Sequence, residues 1–216
     1  MKSVFKEIIV WLLTLEAKLV LMRFHPKIIA VTGSVGKTSA KDAIYSVVSK
    51  KAKARKSEKS FNSEIGVPLA ILGLPNAWNN PFLWLKNIFV GAFVVMFRYR
   101  ISDIQYLILE VGADRPGDIK KVCVWLKPDI AVITRISKVP VHVEYFNSPE
   151  AVAKEKAYLA HAVSHGGALV LNADDEAALE IGRKNAGKKV VTYGISEKAN
   201  IKASNYTISY LVKNGI

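Results

Sequence analysis

Five short apolar runs constrain this chain more than any other feature. They cover 28–31, 106–111, 129–134, 167–172 and 189–193, and they are rich in Ile, Val and Leu. Runs this apolar are buried on both faces, which implies parallel pairing with helices above and below. Segments 38–49, 118–126, 149–163 and 175–184 have helical character. In the first of them Ala43, Ile44, Val47 and Val48 mark one apolar face. Ser148 is a good N-cap with Pro149 at the first helical position, Pro128 marks a helix end, and the 175–184 helix closes near Gly187. The pattern predicts an α/β fold: an open, mostly parallel sheet of P-loop type with helices on both faces. Its ligand lies at the carboxyl ends of the strands. Residues 201–210 read as a terminal strand or hairpin.

The 216 residues are 50% hydrophobic, enough for one substantial core and incompatible with a disordered chain. A single cysteine, Cys123, excludes an intrachain disulfide framework and a multi-cysteine zinc site, and points to a reducing, cytoplasmic compartment. The formal charge of +13 points to an anionic partner: nucleotide, nucleic acid or anionic lipid. The basic cluster Lys50, Lys51, Lys53, Arg55, Lys56 and Lys59 reads as a solvated helix end and loop. It has no interleaved aromatic residues, which argues against nucleic acid.

Two further segments are apolar. Residues 1–26 begin with a basic start and an uncharged run at 8–15, interrupted by Glu16 and Lys18. The run is too short for a transmembrane helix and lacks a cleavage site, so it reads as an amphipathic helix lying on the protein or on a membrane surface. The second is an apolar helical insertion, 76–101, opened by Asn79, Asn80 and Pro81. Only Lys86 is charged between Phe82 and Phe97. Those sixteen residues span roughly 24 Å as a helix, short of the hydrocarbon core. A buried helical hairpin and attachment to the membrane surface both fit. Arg98 and Arg100 follow and could hold anionic headgroups.

The strongest local signal is Thr32-Gly33-Ser34-Val35-Gly36-Lys37-Thr38-Ser39, between the first strand and the first helix after it. Glycines let backbone N–H groups turn inward around a phosphate, and the following helix directs its positive end at the same anion. Lys37 can reach the β- and γ-phosphates, and the Thr38 hydroxyl can ligate Mg²⁺. Val31 stands where the common form of the loop has its first glycine, so the loop is a shortened variant.

This shortened loop resembles that of the Mur ligases, and the chain is similar to their central ATPase domain, closest to the MurF type. Matching segments follow in family order: SFNSEIGVPLAIL at 60–72, LEVGADRPGDI at 109–119, KPDIAVIT at 127–134, VHVEYF at 141–146, AVAKEKAYL at 151–159 and LNADD at 171–175. The resemblance covers 27–206 and implies one ATP-binding domain over 27–216, incomplete at its C-terminal end. It implies ATP-driven amide-bond formation through an acyl phosphate, with a UDP-muramoyl-peptide-like acceptor and an amino acid or dipeptide as amine. It also implies two Mg²⁺ ions. Thr38, Glu110 and His142 become metal ligands, with Lys37, His142 and Lys156 catalytic. Gly33 through Ser39 bind the phosphates and Asn62 lies beside them. Lys156 matches a lysine carbamylated in many Mur ligases, with Lys154 as the alternative register.

Asn172, Asp174 and Asp175 fit a strand-end motif and read as a structural turn and helix N-cap rather than catalytic groups, and Glu64 reads as a helix or turn capping residue. The family's Thr-Asn-Ile-Gly-Pro-x-His is here Thr134-Arg-Ile-Ser-Lys-Val-Pro-Val-His142, two residues longer, with Arg135 in place of an amide. Fewer than 30 residues precede the ATPase region, so the expectation is a fragment of a longer ligase or a reduced relative. The expected location is cytoplasmic, with attachment to the inner face of the membrane as a further option, and no nucleic acid is expected as a partner. The rivals are a folylpolyglutamate- or cyanophycin-synthetase-like ligase and a non-catalytic, membrane-associated nucleotide-binding module.

Overall fold

The apolar runs become the central strands of a seven-stranded parallel sheet with the order β2-β3-β1-β4-β5-β6-β7. The structure is a computed structural model and describes residues 3–58, 61–97, 103–136, 145–146 and 148–204. In chain order the elements are α1 (Ser3–Phe24), β1 (Lys27–Thr32), α2 (Lys37–Val48), β2 (Ala54–Lys56), α3 (Gly66–Leu72), α4 (Pro81–Phe97) and β3 (Tyr106–Glu110). They continue with α5 (Asp118–Cys123), β4 (Ile130–Ile133), α6 (Pro149–Ala162), β5 (Ala168–Asn172), α7 (Glu176–Arg183), β6 (Lys189–Gly194) and β7 (Ile201–Lys202).

Strand alternation divides the core into two layers. Ile28, Ala30, Leu107, Leu109, Ala131, Ile133, Leu169 and Leu171 face the larger core with residues of α1, α3, α5, α6 and α7. Ile29, Val31, Ile108 and Val132 face the other way, against Ala40, Ile44, Tyr45 and Val48 of α2. β1 is flanked by β3 on one side and β4 on the other, so the chain reverses its direction of winding there. In open α/β sheets that reversal opens a crevice at the strand ends.

Three local readings need correction. Within α2, Ala43 and Val47 are exposed and the buried face runs through Ala40, Lys41, Ile44, Tyr45 and Val48. The register rotates because Lys41, not an apolar residue, occupies the most buried position. The basic cluster is not simply a solvated loop, because Ala54–Lys56 adds an edge strand to β3. Its cations have local acceptors: Arg55 donates to the Ile71 carbonyl at 2.8 Å, and Lys56 pairs with Asp42 at 2.8 Å. The helix expected over 118–126 ends at Cys123, and Lys127 Nζ donates to the Cys123 carbonyl behind it.

The expected caps are present. Ser148 Oγ accepts from the Ala151 N–H, and Asn80 Oδ1 accepts from the Phe82 and Leu83 N–H groups at the start of α4. The terminal strand over 201–210 is described only at Ile201–Lys202, which pairs with β6; the remainder lies outside the described residues. α1 lies against α3 and α4 and buries Ile9, Leu13, Ala17 and Val20. No helix among the described residues is long and apolar enough to cross a membrane.

Candidate functional site

The loop after β1 closes on itself before any ligand is considered. Gly33 has a φ of 150° and sits so close to Thr134 that a Cβ would collide with the threonine hydroxyl, so only glycine fits. Gly36, with a φ of 83°, turns the chain into α2. Arg135, two residues past β4, accepts through its carbonyl from the Ser34 N–H at 2.7 Å and the Val35 N–H at 3.4 Å. Thr134 Oγ1 donates toward the carbonyls of Thr32 and Val35. The β4 end therefore braces the loop from one side. The first turn of α2, carrying Lys37, Thr38 and Ser39, follows from Gly36, and Lys37 Nζ donates back to the Ser34 carbonyl at 3.4 Å.

Glu110 is the last residue of β3, paired in register with Val31 on β1. Register thus fixes its carboxylate beside the loop. Thr38 Oγ1 donates to Glu110 Oε2 at 2.8 Å, and Asn62 Nδ2 donates to Glu110 Oε1 at 3.3 Å. The Asn62 carbonyl accepts the Gly112 N–H, which seats the 61–66 segment against the end of β3. Behind them lies a residue that sequence reasoning missed. Lys41 is 2% exposed; its Nζ donates to the Ser57 carbonyl at 2.9 Å and stands 3.9 Å from Glu110 Oε2. Ser57 Oγ in turn accepts the Glu110 N–H. A lysine on the apolar stripe of α2, four residues after Lys37 and three before Ile44, was the available signal.

The opposite wall comes from α6. Its buried stripe is Val152, Glu155, Lys156, Leu159 and Ala160, so two charged residues occupy core positions. Glu155 accepts N–H groups from Gly117, Ile119 and Lys120, capping α5 from a neighbouring helix. Lys156 points to the loop. It lines a cavity of about 110 Å³ together with Gly33, Ser34, Lys37, Ala113, Phe146 and Val152. Burial first, and the nearby Lys37 cation second, lower its pKa from 10.5 to about 8, with Glu155 opposing. Lys154 is exposed, so of the two lysines Lys156 is the inward one.

The structure brings together Gly33, Ser34, Gly36, Lys37, Thr38, Asn62, Glu110 and Lys156. Val35 and Ser39 are on the loop and first helical turn with exposed side chains. His142 lies outside the described residues. Asp175 caps α7 by accepting from the Ala178 N–H and also accepts the Ile136 N–H, tying down the segment after β4. Asp174 accepts from Ile195 and Ser196, and Asn172 Oδ1 from the Asp174 N–H, so this motif is a turn and cap. Glu64 pairs instead with Lys6 and Lys121, each at 3.4 Å, and caps no helix among the described residues.

The donor set tests whether magnesium suits the site. Glu110 and Thr38 offer hard oxygens side by side, with a cation-lined space for phosphate next to them. Among the described residues no group of three or more His, Cys, Asp or Glu is placed to hold a metal ion by itself. Mg²⁺ is commonly held by one or two protein oxygens plus phosphate and water, so the residues present fit it.

A parallel strand, a glycine turn held against the next strand end, a lysine and a threonine opening a helix, and a carboxylate on the adjoining strand define a phosphate-binding α/β domain. A family model described as the Mur ligase middle domain matches residues 89–213. The chain belongs to the Mur ligase middle-domain family. The UDP-N-acetylmuramoyl-tripeptide–D-alanyl-D-alanine ligase of Mycobacterium tuberculosis is 33% identical over 163 residues, covering 76% of this chain and 26% of that protein. Among solved structures, MurF from Acinetobacter baumannii superposes with a TM-score of 0.69 at 22% identity, over 90% of this chain and 36% of that one. MurF ligase from Thermotoga maritima in complex with ADP gives 0.65 at 24%, over 91% and 38%. The chain thus spans about a quarter of the length of that M. tuberculosis relative.

Proposed function

We propose that this chain is the ATP-handling portion of a MurF-like ligase of peptidoglycan precursor synthesis. The observation that carries the reading is the contact between Thr38 and Glu110 at 2.8 Å, beside a cavity that Lys37 and Lys156 share. In this reading the loop N–H groups and Lys37 hold the β- and γ-phosphates of ATP. Thr38 and Glu110 would hold one Mg²⁺, and His142 a second; magnesium supplies charge neutralisation on the phosphate oxygens. Asn62 and Lys41 keep the Glu110 carboxylate aimed at the loop.

The reaction is acyl activation: a carboxylate of a UDP-muramoyl-peptide-like acceptor takes the γ-phosphoryl group, and an amine such as D-alanyl-D-alanine then displaces phosphate to form the amide. Lys37 stabilises the negative charge on the phosphoryl oxygens as transfer proceeds. Lys156 is suited to carbamylation. A pKa near 8 leaves a minority of neutral amine at neutral pH, which can attack CO₂, lose a proton and become an anionic carbamate. Dependence on ATP assigns the reaction to the cytoplasm.

ATP-analogue binding and phosphate release, compared between the wild-type chain and Lys37→Ala, test the reading. Loss of the lysine should weaken binding roughly 10- to 100-fold and slow any phosphate release by on the order of 10²–10³. Binding without any phosphate release from either protein, with acceptor present, would favour the non-catalytic module. Equal binding by both proteins would remove the site.

A further inference from the structure

α1 and α4 pack on each other, and each also turns an apolar face away from the core. On α1, Ile8, Trp11, Leu15, Leu19 and Met22 recur at three- and four-residue steps and stay exposed, opposite the buried Ile9, Leu13 and Val20. On α4 the outward stripe is Phe82, Lys86, Phe89, Phe93 and Phe97. Phe82 is 81% exposed and Phe89 67%. Phe93 and Phe97 pack against each other with ring centroids 4.5 Å apart and planes tilted by 34°. Soluble monomers rarely leave an apolar patch of this extent uncovered.

The charges on the two helices indicate what covers it. They carry Lys6, Lys18, Arg23 and Lys86 against two acids, Glu7 and Glu16. Glu16 is buried against Gly91 in the seam between the helices, so it presents little negative charge outward. Lys86 stands in the middle of the phenylalanine stripe. Lysine is depleted from the centres of protein–protein interfaces, but on a bilayer its stem lies among acyl chains while its ammonium reaches the headgroups. Trp11 and Trp78, both largely exposed, are side chains that favour the boundary between lipid and water.

We propose that this face rests on an anionic lipid bilayer, with α1 and α4 lying in the plane of the interface. A helix of α4's length reaches about 25 Å, less than the hydrocarbon thickness, which favours lying on the membrane over crossing it. The proposal does not depend on the nucleotide reading, because none of these residues lines the phosphate cavity.

Vesicle flotation of the 216-residue chain tests it. The vesicles are phosphatidylcholine alone, or phosphatidylcholine with about 30% phosphatidylglycerol. The chain floats with the anionic vesicles at low salt and much less with the neutral ones. Phe89→Glu combined with Phe93→Glu lowers the partition coefficient at least tenfold, on the order of the loss of two buried rings, without changing the unfolding midpoint or ATP-analogue binding. Lys18→Gln combined with Lys86→Gln lowers partition to the anionic vesicles roughly 30-fold and narrows their advantage over neutral ones by the same factor. Flotation with neither vesicle, or flotation of the phenylalanine variant equal to wild type, overturns the proposal. So does a dimer in light scattering that the phenylalanine substitutions split while no vesicle binds, since the face would then seat a second copy.

Discussion

Replacing Lys156 with methionine removes a charge that the fold disfavours. The side chain is 5% exposed, and its pKa falls from 10.5 to about 8, mainly through burial and then through Lys37. Between those values the unfolded chain holds a proton that the native chain has released. Wild-type stability therefore rises with pH across that window, and the penalty is fully present below pH 8. A fall of this size corresponds to about 3 kcal/mol, an upper figure for what the charge costs near neutrality. Methionine matches the stem and needs no solvation, so Lys156→Met should be more stable than wild type near pH 7 by up to that amount. The advantage should vanish toward pH 10.5. Other titrating groups, including the Cys123 thiol that burial pushes up to about 12, are present in both proteins and cancel in the difference. Urea unfolding in CO₂-free buffer near pH 7 and near pH 10 measures it. A stability difference that does not change with pH, or a variant less stable than wild type at pH 7, would refute the reasoning. Lys37→Met supplies an internal check, because removing the second cause should move the wild-type window upward.

Glu16→Gln probes the seam between α1 and α4. Burial raises the Glu16 pKa from 4.5 to about 7, and its Oε2 has no hydrogen-bond partner among the described residues, so the native state retains the proton longer than the unfolded one. Wild-type stability falls as pH rises through that interval, and the glutamine variant should gain on wild type at pH 8 relative to pH 4 in chemical denaturation. Asp175→Ala removes both the α7 cap and the acceptor for the Ile136 N–H. It should cost about 1–3 kcal/mol in thermal or urea unfolding; a neutral result would show that the segment after β4 is held elsewhere.

Much of this architecture was legible because most of its strands are apolar and its loop has a fixed order of residue types. Where reading failed, charged residues had taken structural positions. β2 is written Ala-Arg-Lys and looks like solvated chain, yet an edge strand needs only backbone pairing on one side and outlets for its cations. α3 is buried at every position, so it shows no helical period, and Pro68 sits in its first turn, where proline is tolerated. The face of α2 was misjudged because Lys41 occupies its most buried place. The same kind of misfit carries information at the site: Lys41, Glu155 and Lys156 are charges on apolar stripes, and each serves the loop or a neighbouring helix end. The pairing of Glu110 with Thr38 could be expected from adjoining strands, but the Asn62 and Lys41 contacts depend on tertiary packing that spacing does not reveal.

The central claim is that the loop after β1 and the carboxylate ending β3 together hold a magnesium nucleotide. Titration calorimetry with a non-hydrolysable ATP analogue, with and without Mg²⁺, on wild type and Glu110→Ala tests this most directly. The account predicts that Mg²⁺ tightens binding to wild type and that the gain disappears in Glu110→Ala, while metal-free binding changes little. Equal affinity with and without Mg²⁺ in wild type, or an undiminished gain in the variant, would contradict it.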